Sequence, residues 1–136
     1  MDAHYRSTCY RVFIDDQIFD LYIGQFNTDF QAYLSASNID TWAIITAWNP
    51  YSKAKTDQEN QFAQDQLMAS LIDFTYYQAV GIPDASQKWS PEESLFVLNI
   101  SKANAVALGQ QFEQNAFVFG QADSAPELVY CMDDMA

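Results

Sequence analysis

A chain of 136 residues suits one domain that buries a continuous core without disulfides or metal, and 49% hydrophobic with 15% aromatic content excludes wholesale disorder. Lys+Arg 6 against Asp+Glu 18 gives a net charge of −12, which argues against nucleic acid and anionic membranes as partners, because binding either rests on positive charge. The apolar runs at 42–47 and 95–98 fall far short of the ~20 residues a membrane span needs, no basic-then-apolar leader opens the chain, and the expected location is cytoplasmic.

The first eight residues read as a loose lead-in to a single domain over 1–136, with its ordered core at about 9–131. Residues 10–14 and 18–23 have the β-branched and aromatic content of strands, and Asp15-Asp16-Gln17 between them reads as a hairpin turn. Asn27-Thr28-Asp29 offers N-cap chemistry for a short helix carrying Phe30, Tyr33 and Leu34 on one face. A buried strand is expected at 42–48, ending in the Asn49-Pro50 turn. Thr56 and Glu59 have capping-box spacing, and the helix they open sets Ala63, Leu67, Ser70, Leu71 and Phe74 as its core stripe.

Residues 74–80 have strand composition and 84–91 form a polar loop carrying Trp89. Ser90-Pro91-Glu92-Glu93 is a second cap-like signature, with a single turn at most before a buried strand at 94–100. Ser101 caps a third helix with Ala105, Leu108 and Phe112 on its apolar stripe. Strands at 116–119 and 128–131 finish the domain, and 133–136 is a tail. The order β-β-α-β-α-β-β-α-β-β predicts an α+β fold: a single mixed or antiparallel sheet flanked by about three helices.

Cys9 and Cys131 lack metal or redox spacing and read as buried free thiols, bridged only if their terminal strands are neighbours. His4 is the sole histidine, which argues against a His-based triad or a His-rich metal site; no metal ligand set and no cofactor is expected.

Thr46, Asn49, Tyr51 and Ser52 follow the central strand, with Lys53 and Lys55 just ahead of a helix N-terminus, where free amides favour an anion. The bland reading is a turn with solvated lysines, and no glycine provides a phosphate cradle. Capping accounts for Glu59 fully, whereas Asn60, a poor helix former, is open to a structural or a ligand contact. Glu92 and Glu93 are the best acid–base candidates, since a carboxylate held beside Trp89 and an apolar strand has a raised pKa. Extended backbone points adjacent side chains to opposite faces, so one of the two faces a site, and Glu93 is chosen, with Glu59 as a partner. The competing reading makes Glu93 a local cap. Gln114 and Asn115 end the third helix, with Asn115 suited to an αL cap, and Trp89 is the tryptophan expected to be partly exposed.

Thr46-Ala-Trp-Asn-Pro50, Glu59-Asn60, Trp89-Ser-Pro-Glu-Glu-Ser94 and Phe112-Glu-Gln-Asn-Ala116 stand in an order that resembles the small bacterial proteins grouped as domain of unknown function 3293. The resemblance spans roughly residues 10 to 130 and implies a stand-alone bacterial cytosolic domain, with no catalytic residue to carry over. Three functions stay open. The first is a module whose Thr46, Asn49, Lys53, Asn60, Trp89 and Gln114, with Glu93, recognise a small polar ligand or a protein partner. The second is a small enzyme using Glu93, with Glu59, as general acid or base. The third is an acidic mimic of DNA, which the dispersed placing of the acids disfavours.

Overall fold

The structure, a computed structural model, describes residues 2–87 and 89–131, so the expected tail at 133–136 lies outside the described residues. In chain order the elements are helix α1 (Asp2–Arg6), strands β1 (Cys9–Ile14) and β2 (Gln17–Leu21), helix α2 (Thr28–Ala36), strand β3 (Thr41–Ile45), a 3-10 turn (Pro50–Ser52) and helix α3 (Asp57–Ser70). Strands β4 (Tyr76–Ile82) and β5 (Glu92–Leu98), helix α4 (Lys102–Gln111) and strands β6 (Ala116–Gln121) and β7 (Glu127–Tyr130) complete it.

The strands form one antiparallel sheet in the order β2-β1-β4-β5-β3-β6-β7. Its central strands are apolar on both sides, which demands cover on both faces. Trp42 and Ile44 of β3, Phe96 of β5 and Val118 of β6 pack beneath Phe30 and Leu34 of α2 on one face. Ala43 and Ile45 of β3, Leu95 and Val97 of β5, and Phe117 and Phe119 of β6 meet Leu67 of α3 and Ala105 of α4 on the other. The sequence turns these strands inside out every second residue, and each half of the alternation has its own layer of helix.

The α2 layer is the more aromatic. Phe30 lies edge-on to Trp42 at 5.3 Å and close to Phe96 at 5.7 Å, all three fully buried. Each such side chain contributes on the order of 1.5–3 kcal/mol by burial, and each pair about 1 kcal/mol beyond that. Trp42 rests on the bare backbone of Gly120, where a Cβ would stand 2.2 Å from its ring. Its indole N–H is buried without a partner among the described residues, a cost of about 1–3 kcal/mol that the ring's burial offsets.

The element series departs from the expected one at its start. The stretch expected to be a loose lead-in folds as α1 and tucks Tyr5 against the α2-side core. Five residues make no helix on their own, so packing and side-chain bonds hold it. Thr8 Oγ1 donates to the His4 carbonyl (2.8 Å), and Gln87 Nε2 donates to Ser7 Oγ (2.6 Å) from across the fold. Strand β5 begins at Glu92, two residues before the expected start, because Glu92 and Glu93 pair with Gly81 and Val80 of β4. No turn or cap forms there, so the capping role weighed for Glu93 is not realised. The αL residue after α4 is Glu113 (φ 58), and Asn115 instead donates to Ser52. Cys9 on β1 and Cys131, just past β7, are buried free thiols at positions separated across the sheet by β4, β5, β3 and β6. No helix among the described residues is long and apolar enough to cross a membrane.

Candidate functional site

Beyond the end of β3 the chain turns sharply, and what holds that turn builds a cavity. Asn49 (φ 47), Tyr51 (φ 54) and Ser52 (φ 60) all take the left-handed conformation. Asn tolerates it; for Tyr and Ser it costs on the order of 1 kcal/mol each, so the surroundings must enforce it. The Tyr51 amide donates to the Glu113 carbonyl (2.6 Å) and Asn115 Nδ2 to Ser52 Oγ (3.1 Å). Helix α3 provides the rest. Asn60 Oδ1 accepts from the Asn49 amide and Asn60 Nδ2 donates to Asn49 Oδ1, both at 2.8 Å. One turn on, Gln64 Oε1 accepts from the Ala47 amide at 2.9 Å. The buried face of α3 is therefore amide at its N-terminal half and apolar beyond, through Asn60, Gln64 and Leu67.

The turn, α1, the 83–91 loop and the ends of β3, β4, β5 and β6 enclose a cavity of about 80 Å³. Its floor is apolar, from Ile44, Ala116 and Val118, and its walls are polar and aromatic. Tyr10, Gly81 and Glu92 stand in one cross-strand row over β1, β4 and β5. A Cβ on Gly81 would touch the Tyr10 ring at 3.8 Å, so the glycine leaves this row open for the phenol beside the carboxylate. Tyr5 and His4 close the top from α1, and Trp89 lies edge-on to His4 at 6.4 Å.

Glu92 is the one acid among the described lining residues. Burial pushes its carboxyl above the ordinary range, against the opposing effect of Asn49, whose Nδ2 donates to Oε2 at 3.1 Å. Burial likewise raises both phenols, with the Glu92 charge adding to it, so Tyr5 and Tyr10 stay protonated. Among the described residues, the lining of this small pocket has one carboxyl group and no Lys or Arg.

Of the residues singled out from sequence, Thr46, Asn49, Trp89 and Gln114 line this cavity. Asn60 stands behind it, buried, and acts through Asn49. Lys53 is exposed and outside the lining. Glu59 is exposed and occupied by the capping box, where bonds from the Thr56 amide and hydroxyl hold its carboxyl low. Glu93 points to the opposite face, toward a shallow groove with Trp48 and Asp57. Adjacent side chains do alternate between the faces, but Glu92 is the one that reaches the cavity, because it shares parity with Ser94 and Phe96 on the α2 side. Glu59 and Glu93 line no common cavity. Sequence reasoning missed His4, Tyr5 and Tyr10, and the N-terminal stretch offered no periodicity to find the first two. Among the described residues no cluster of three or more His, Cys, Asp or Glu could hold a metal ion.

The architecture and site define a small α+β domain with a polar, carboxyl-bearing cavity at one end of its sheet. The family model described as "Protein of unknown function (DUF3293)" matches residues 45–117, more than half of the chain, and the protein belongs to that family. The matched segment holds Thr46, Asn49, Asn60, Trp89, Glu92 and Gln114, whereas His4, Tyr5 and Tyr10 lie before it. No curated protein and no solved structure shows significant similarity to the chain.

Proposed function

We propose that this protein is a small-ligand-binding domain, with the cavity around Glu92 as its binding site. The observation that carries this reading is the burial of the Glu92 carboxyl in an enclosed, aromatic-walled pocket where Asn49 alone bonds it among the described residues. A group so placed gives up hydration, and a site for a ligand is what repays such a loss. The strained turn supports the same reading, since two of its three left-handed residues, Asn49 and Ser52, line the cavity. Ser94 is buried at the edge of the cavity, so Ser94→Leu fills the space from within. Screening a mixed-charge fragment library by ligand-observed NMR should give binders to the native protein that Ser94→Leu loses while still melting cooperatively. Binders shared equally by both proteins, or none at all, refute the site.

A second reading has its own observation. The raised pKa of Glu92, beside two protonated phenols, suits it to general acid–base work on whatever the cavity holds. In that case Glu92→Gln abolishes turnover and leaves fragment affinity largely intact, whereas equal turnover in the two proteins removes the acid–base role.

A further inference from the structure

The cavity's hydrogen-bonding inventory is lopsided, and the lopsidedness names a ligand class. Four of its hydroxyl protons are already committed to the backbone. Thr8 Oγ1 donates to the His4 carbonyl (2.8 Å), Thr46 Oγ1 to that of Glu93 (2.6 Å), Ser94 Oγ to that of Glu92 (3.2 Å), and the Tyr10 phenol to that of Tyr5 (3.4 Å). Gln114 spends its amide protons on the Trp48 and Phe112 carbonyls (3.2 and 3.3 Å), so its side-chain oxygen has no partner among the described residues. Glu92 Oε2 is bonded by Asn49, and its Oε1 takes no bond from the described residues. With these four donors turned outward into the fold, their oxygens and those of Glu92 and Gln114 offer lone pairs to the interior.

We infer that the cavity binds a small organic cation bearing N–H donors, an alkylammonium or guanidinium head group, seated on the Glu92 carboxylate with Gln114 and the hydroxyl oxygens completing its shell. This deepens the ligand-binding reading given above and rests on it. Charge complementarity is one-sided: no Lys or Arg among the described lining residues offers a counter-ion to an anion, and the chain's net charge of −12 concentrates cations around it. The remaining donors include the Ser52 and Ser90 hydroxyls, the Tyr5 phenol and the Trp89 indole, and the last two belong to rings whose faces attract a cation. Size agrees, because about 80 Å³ is roughly half the ~150 Å³ of a cavity that holds benzene, which suits a compact head group.

The test is a titration of ¹⁵N-labelled protein with three probes of matched shape, methylguanidinium, methylurea and acetate, at constant ionic strength. Methylguanidinium should shift the Asn49 and Ser94 amides and the Trp89 indole saturably, at least tenfold more tightly than methylurea, with acetate silent. Glu92→Gln should keep the native spectrum and lose the preference, while Glu93→Gln, on the other face, should keep it. Methylurea or acetate binding the cavity as tightly as methylguanidinium overturns the cation inference and leaves a small-ligand site standing. Silence from all three probes overturns this inference, and silence from the wider fragment library as well overturns the site itself. The probe panel on the unmodified protein decides the matter even if Glu92→Gln does not fold.

Discussion

Replacing Asn60 with Ala tests whether the turn that shapes the cavity is held from behind. Asn60 is 2% exposed, and its two bonds to Asn49 tie the first residue of the left-handed run to α3. Alanine orphans the buried Asn49 amide, at a cost of about 1–3 kcal/mol, and removes a second bond worth about 1 kcal/mol. Asn49 Oδ1 keeps the Lys55 amide as a donor, which moderates the second loss. Alanine's better helix propensity returns roughly 0.5 kcal/mol. The net expectation is a loss of about 2 kcal/mol, read as a lower urea midpoint at unchanged slope. Asn60→Asp isolates the donor: its carboxylate can still accept from the Asn49 amide but sets oxygen against oxygen at 2.8 Å, so it should cost at least as much as alanine. A loss under about 0.5 kcal/mol for both variants, the range of an ordinary surface change, would refute the reasoning.

Stability should also follow Glu92 with pH. Its folded pKa lies above the ordinary 4.5, so its contribution is fully present below pH 4.5 and is lost as pH rises through the raised value. The difference in urea midpoint between the native protein and Glu92→Gln should therefore fall across that window; a flat difference would show that the carboxyl is not shifted. Gly120→Ala drives a methyl into the Trp42 ring and should destabilise by about 3 kcal/mol or more, or prevent folding, as judged by thermal melting. Thr56→Ala removes the α3 cap and should cost about 1 kcal/mol in the same melt, without altering fragment shifts at Trp89.

Much of the scaffold is readable from residue patterns. The runs at 42–47 and 95–98 announce strands buried on both faces, although β3 ends at Ile45 and not at the expected 48, and Thr56 with Glu59 announces the start of α3 with its reciprocal cap formed. The site is less readable, for three physical reasons. Binary patterning counts Asn60 and Gln64 as solvent-facing, although with Leu67 and Leu71 they sit at i, i+4, i+7 and i+11, a complete helical face. Ser90-Pro91-Glu92-Glu93 satisfies a local capping pattern, yet pairing with β4 outweighs that preference and carries the strand back to Glu92. Helix α1 is too short to show a period, and its contacts come from residues some eighty positions away, such as Gln87.

The sheet order has a consequence for how the chain assembles. β1 with β2, β4 with β5, and β6 with β7 are neighbours along the chain, able to zip locally. β3 has no such neighbour: it is the wedge between the second and third hairpins, bonded to β5 and β6 from far along the chain. A molecule whose hairpins have formed before the wedge arrives presents an empty slot with two unsatisfied rims and a loose strand, apolar from Trp42 to Ile45, that fits it. A second molecule's wedge fits that slot equally well, so refolding at high protein concentration is where an exchanged dimer should appear on size exclusion.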